Sequence, residues 1–151
     1  MDKVPGRLIS ILYRKNQIYL NTALKPYHIT STEQPVLMFL YENLGVTQEE
    51  IAHYLQVDKA LMTRTIQALV QKGFVRKEKD QVDKRCNRVF LTDEGVAIRE
   101  GIKNSLLEWN KILLGDFDEE KQQAIFSILE ELVDKVDEFE NNKEKHSTID
   151  R

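Results

Sequence analysis

Apolar residues recur at helical spacing at both ends of the chain and give way to a mixed pattern in the middle. From Gly6 to Lys25, Leu8, Ile11, Leu12, Ile18 and Leu24 fall near helical spacing, which predicts a helix with a broad apolar face that Pro26 ends. A second helix is expected within Thr30 to Leu44. Thr30-Ser31-Thr32-Glu33 reads as its cap, Val36, Leu37, Phe39 and Leu40 as its stripe, and Gly45 as its stop. Pro35 is compatible because it falls near the first turn. Thr47-Gln48-Glu49-Glu50 is a capping box for a short helix with Ile51, Ala52 and Leu55 inward. Asp58 caps the next helix, whose stripe is Met62, Ile66 and Leu69 and which Gly73 closes. Phe74 to Lys79 and Arg88 to Leu91 are β-prone and enclose a charged segment, so a hairpin is expected over Phe74 to Leu91. Thr92-Asp93-Glu94 caps a long helix through Ile98, Ile102, Leu106, Trp109 and Leu113, broken by Gly115. Asp118-Glu119-Glu120 opens the last helix, with Ile125, Ile128, Leu129, Leu132, Val136 and Phe139 on one face. The polar tail from Asn141 to Arg151 is expected to fray.

Two helices joined by a tight turn and followed by a two-stranded hairpin describe a winged helix-turn-helix. The fold class expected is therefore mainly α with a small β-hairpin (α+β), the winged lobe flanked by long N- and C-terminal helices. In the helix after Asp58 the core takes one side. Lys59, Ala60, Thr63, Arg64 and Gln67 remain on the other, a polar and positive face suited to the major groove, where Arg and Gln pair with base edges. A solvated surface helix has the same pattern, so charge decides between the two. The chain of 151 residues has net charge -3, which argues against bulk attraction to a polyanion. Yet from Lys72 to Arg88 there are seven Lys or Arg against three Asp or Glu, and from Asp118 to Glu140 two against nine. Positive charge is thus concentrated beside the candidate reading helix, the footprint expected for a phosphate backbone.

The run Thr47 to Gly95 resembles the DNA-binding lobe of MarR-type bacterial transcriptional regulators. Its most specific part is Asp83-x-Arg85 followed, after five residues, by Leu91-Thr92. Lys72-Gly73-Phe74-Val75 matches the turn from helix to strand. The helix order at both ends matches too, so the resemblance spans nearly the whole chain except the tail. Leu61 stands where the family often has a small polar residue, so base preference does not carry over. The resemblance implies a homodimer built by the first, fifth and sixth helices and a pseudo-palindromic double-stranded DNA operator. It further implies repression relieved by a small anionic or phenolic effector bound between the dimer and DNA-binding lobes. It makes Arg85 the wing-tip arginine of the minor groove and Asp83 its support; a narrow minor groove attracts a guanidinium, and a nearby carboxylate fixes its rotamer. Lys84 and Arg88 flank it as expected phosphate contacts. The expected organisation is one domain over 1–142, with the winged lobe at about 30–92, dimerisation helices at about 6–25 and 93–142, and a disordered tail at 143–151.

Other chemistry is sparse. His28, His53 and His146 are far apart and Cys86 is the single cysteine, so no metal-ligand spacing and no internal disulfide are expected. No Gly-rich phosphate loop, G-x-S-x-G or catalytic dyad is present, so neither an enzyme nor a cofactor is expected. Cys86 lies beside Arg85 and near Lys84 and Arg88, neighbours that favour a thiolate; an exposed loop cysteine is the reading preferred over a redox switch. Tyr13, Tyr19, Met38, Phe39 and Trp109 are candidates to line a ligand cleft, although aromatic residues at this spacing more often build core. No apolar run is long enough to span a bilayer, and MDKVPGRLIS lacks the apolar region of a signal peptide, so a cytoplasmic protein is expected. The competing function is a winged-helix protein-interaction module that binds no DNA; the basic hairpin beside a polar helix face speaks against it.

Overall fold

The structure is a computed structural model that describes residues 3–149. Its elements, in order, are α1 (Gly6–Ala23), a 3-10 turn (Lys25–Tyr27), α2 (Gln34–Glu42), β1 (Val46–Thr47), α3 (Gln48–Leu55), α4 (Lys59–Gln71), β2 (Val75–Lys79), β3 (Asn87–Leu91), α5 (Asp93–Ala97), α6 (Arg99–Leu114) and α7 (Glu119–Ile149). The described residues form two compact units divided between Trp109 and Asn110.

In the first unit, the core is made by the stripes that periodicity assigns inward. Leu37, Leu40, Ile51, Met62, Ile66 and Leu69 are fully buried, joined by Leu24, Val89 and Ile102. Removing such side chains from water is what holds three short helices together that would not persist alone. The caps behave as their sequences suggest. Thr47 Oγ1 accepts from Glu50 N–H while the Glu50 carboxylate accepts from Thr47 N–H. Asp58 caps α4 through Leu61 N–H, and Thr92 caps α5 through Gly95 N–H.

Four elements differ from the sequence expectation. The Thr30 to Glu33 cap forms a separate turn, closed by Gln34 N–H to Thr30 O, and α2 begins only after it. The expected helix from Thr92 is two helices, α5 and α6, because Ile98 sits at φ -91°, ψ 0°. The wing is not a bare hairpin: β1 adds a third strand, giving the antiparallel order β1-β3-β2 with Val46 opposite Val89 and Val75 opposite Leu91. The chain from Asn141 to Ile149 is helical, where a frayed tail was expected; Asp150 and Arg151 lie outside the described residues.

Two glycines matter to the geometry. Gly73 turns the chain out of α4 at φ +81°, a conformation that favours glycine. Gly95 lies against the Phe74 carbonyl, where an added Cβ would collide with backbone. Its own carbonyl accepts from Tyr41 O–H at 2.7 Å, and burial pushes that phenol's pKa up to about 12.

The second unit carries the end of α6 and all of α7. Its apolar side chains stay open to solvent: Phe126, Ile128, Leu129, Leu132, Val136 and Phe139 are each exposed. On α1, in the first unit, Leu8, Ile9, Leu12 and Ile18 are exposed as well. Among the described residues, no helix is long and apolar enough to cross a membrane.

Candidate nucleic-acid interface

α4 turns Met62, Thr65, Ile66 and Leu69 into the core, and this fixes which residues face out. Lys59, Ala60, Arg64 and Gln67 are exposed, as their positions require. Thr63 is half-buried and already engaged. Its hydroxyl donates to Lys59 O at 2.9 Å and accepts from Gln48 Nε2 at 2.9 Å. A phosphate is an acceptor and finds no free hydroxyl proton there, so the Thr63 hydroxyl ties α3 to α4.

The far end of α4 is anchored by a pair that spacing does not reveal. Lys72 Nζ reaches both oxygens of Glu33, at 2.6 and 2.8 Å, and the carbonyl of His28 at 2.9 Å. Glu33 is only 4% exposed and also accepts from Thr30 O–H. Lys72 was counted in the basic run by sequence, but it faces a buried carboxylate.

The wing tip is a network of charge-assisted bonds. Arg85 grips Asp83 with two donors, Nε to Oδ1 at 3.1 Å and a terminal nitrogen to Oδ2 at 3.3 Å, while Arg85 N–H also donates to Oδ1. This side chain is nonetheless 92% exposed, so it is oriented without being covered. Asp83 N–H donates to Asp80 Oδ2, and Arg88 Nε donates to Asp80 Oδ1 at 2.8 Å. These bonds hold both carboxyls below the usual carboxylate range: the Arg88 side chain acts chiefly on Asp80, the Arg85 side chain chiefly on Asp83.

Arg88 is engaged within the wing. Its guanidinium bridges Asp80 and, at 2.5 Å, the carbonyl of Gly45 just before β1. Nε and one terminal nitrogen are thus directed into the wing's own scaffold, so Arg88 helps to position the tip. Cys86 is partly buried at the same tip. Desolvation first, and then the negative charge of Asp83, push its thiol up, away from the thiolate that its basic neighbours in sequence suggest. Lys77, Lys79 and Lys84 are the exposed members of the basic run with no side-chain partner among the described residues.

The five aromatic and Met candidates do not line one common cleft. Tyr19 stacks on Trp109 with centroids 4.3 Å apart, Phe39 stacks on Tyr54, and Met38 packs against the core. Of the five, Tyr13 lines a cavity of about 260 Å³, and the other four do not line it. The cavity is bounded by α1, the 31–36 segment, the end of α3 and the first turns of α4. Sequence reasoning missed its polar lining, Asn16, Gln17, Ser31, Thr32 and Gln34, because separate polar residues carry no spacing signal. Among the described residues, no group of His, Cys, Asp or Glu is arranged to hold a metal ion.

Comparison with known proteins agrees with this geometry. Residues 29–87 match the MarR family model. The HTH-type transcriptional regulator YwoH of Bacillus subtilis is 36% identical over 104 residues, covering 69% of this chain and 75% of that protein. The crystal structure of a MarR transcriptional regulator from Methanosarcina mazei superposes with a TM-score of 0.80 at 39% identity, covering 86% of this chain and 94% of that one. A mutant MarR from Escherichia coli complexed with operator DNA superposes at 0.77 with 29% identity, covering 85% and 92%.

Proposed function

This chain belongs to the MarR family, and on that premise we propose that it is a sequence-specific DNA-binding transcriptional regulator, acting as a dimeric repressor in the cytoplasm. The observation that carries the reading is the pairing of an exposed polar face on α4 with a wing arginine held in a fixed rotamer by Asp83. In this reading Lys59, Ala60, Arg64 and Gln67 meet base edges in the major groove, with Thr63 beside them. Arg85 enters the adjacent minor groove and Lys84 contacts phosphate, while Asp83 and Arg88 position the tip. One functional domain over 1–142 divides into a winged lobe at about 30–92 and dimerisation helices at about 6–25 and 93–142. The exposed apolar faces of α1 and α7 support the dimer: isolated exposed side chains are ordinary, but rows of Leu, Ile, Val and Phe are the kind of surface a second copy covers. The cavity beside α4 supports control by a small effector, since a ligand seated there has a different fit for each position of the reading helix.

Selection of bound duplexes from a random library tests the reading, followed by gel-shift titration against salt. An inverted repeat whose affinity falls steeply with salt is expected. Absence of any selected sequence, with binding to DNA no stronger than that of an acidic control protein, returns the lobe to a protein-interaction role.

A further inference from the structure

We infer that the cavity beside α4 takes an uncharged, flat, carbonyl-bearing ligand and discriminates against carboxylates; this rests on the effector reading above and specifies its chemistry. The first support is what the wall lacks. Among the described residues lining the cavity none carries a formal charge: the polar ones are amides and hydroxyls. A carboxylate entering such a site gives up its hydration and meets no cation, which costs far more than the loss of water from an amide.

The second support is which polar atoms remain available. Asn16 Oδ1 accepts from Trp109 Nε1 at 2.7 Å, so its amide is held in one orientation and its Nδ2 hydrogens are what it can offer. The Tyr13 hydroxyl accepts from Gln17 Nε2 at 3.0 Å, which leaves its own proton to donate and Gln17 Oε1 to accept. One side of the cavity therefore presents donors fixed for a carbonyl oxygen, with an acceptor nearby for an N–H or O–H. Val36, Leu55, Val57 and Leu61 add apolar lining suited to a ring face, beside the hydroxyls of Ser31, Thr32 and Thr65 and the Gln34 amide. A volume of about 260 Å³ is just below the usual range of about 300–1,000 Å³ for small-molecule sites and fits a one- or two-ring compound.

The third support is the place of the cavity. Leu61, Met62 and Thr65 line it and belong to the reading helix, so the ligand touches α4 from its buried side while DNA meets the other.

The test compares salicylamide with salicylate, matched in shape and different in charge, by titration calorimetry of the full chain. Trp109 is the only tryptophan, so its single indole N–H resonance reports events at Asn16. Salicylamide should bind at least about tenfold tighter than salicylate and shift that resonance, a difference of about 1.4 kcal/mol. Asn16→Asp keeps an acceptor for Trp109 but replaces the donor pair with a negative charge, so it should weaken salicylamide and exclude salicylate still further, while the melting temperature and operator affinity stay at wild-type values. Gln17→Arg should shift the preference toward salicylate by supplying the missing cation. Equal or tighter binding of salicylate to the wild type overturns the proposal, and so does binding of neither probe. Salicylamide binding with the indole shift but without operator release upholds the ligand chemistry and overturns the effector role.

Discussion

Lys59 and Arg64 on α4 and Lys84 and Arg85 on the wing all stand exposed, yet different forces stand behind them. Behind α4 is a stripe of fully buried side chains, Met62, Ile66 and Leu69, with a carboxylate cap at one end and the Lys72–Glu33 pair at the other. Behind the wing tip are carboxylate–guanidinium bonds at the surface, Asp80 to Arg88 and Asp83 to Arg85. Apolar burial is indifferent to pH and salt over ordinary ranges, whereas exposed ion pairs are screened by salt and lost on protonation. The helix is thus a fixed part of the fold, and the wing tip is a conditional one.

The strongest way to break this comparison is to attack the helix. Ile66→Ala should cost about 2–5 kcal/mol, as for other large-to-small core changes, seen as an earlier midpoint in denaturant. Helix and wing should be lost in one transition, because β2 continues directly from α4. Next in size, Arg85→Ala should weaken operator binding by about 1–3 kcal/mol per half-site, flatten the salt dependence and leave the melting temperature unchanged. Asp58→Ala should lower stability by about 0.5–2 kcal/mol through loss of the cap, with a parallel loss of protection at the amides of the first turn of α4.

Smaller still, Asp83→Ala should weaken operator binding roughly two- to five-fold, the size of an exposed pair. Simple electrostatics gives the opposite sign, since deleting an acid beside DNA should strengthen attraction. Tighter binding by this variant, measured in the same gel-shift titration, means that the wing acts as diffuse charge and not as an oriented arm. Acid titration sharpens the contrast last. Asp80 and Asp83 are held below their ordinary value of 3.8, so their pairs stabilise the wing fully above that value and are lost as pH falls below it. Hydrogen exchange should then show amides of residues 80–86 opening on acidification before those of α4.

Local signals were legible in the sequence and non-local ones were not. The Thr47, Asp58 and Thr92 caps and the stripe of α4 depend on residues three or four apart, and the structure places them as expected. The Asp83–Arg85 pair is also local, being two residues apart. By contrast, β1 has only two residues, too few to show alternation. The role of Arg88 depends on Gly45, far along the chain, and that of Lys72 on Glu33; neither pairing leaves a trace in spacing. The aromatic set failed for a related reason. Helical periodicity says that Tyr19 and Trp109 face inward, but not that they stack on each other and leave the cavity to amides.

The outward residues of α4 have a consequence for descent. Lys59, Ala60, Arg64 and Gln67 have exposed side chains, whereas the fold depends on Met62, Ile66 and Leu69 between them. Substitutions at such outward sites ordinarily change stability by within about 0.5 kcal/mol. A duplicated copy of this gene can therefore drift to new operators without first acquiring compensating changes in its core. Two selections, one for a foldable chain and one for a recognised sequence, act on interleaved positions of a single helix and scarcely interfere.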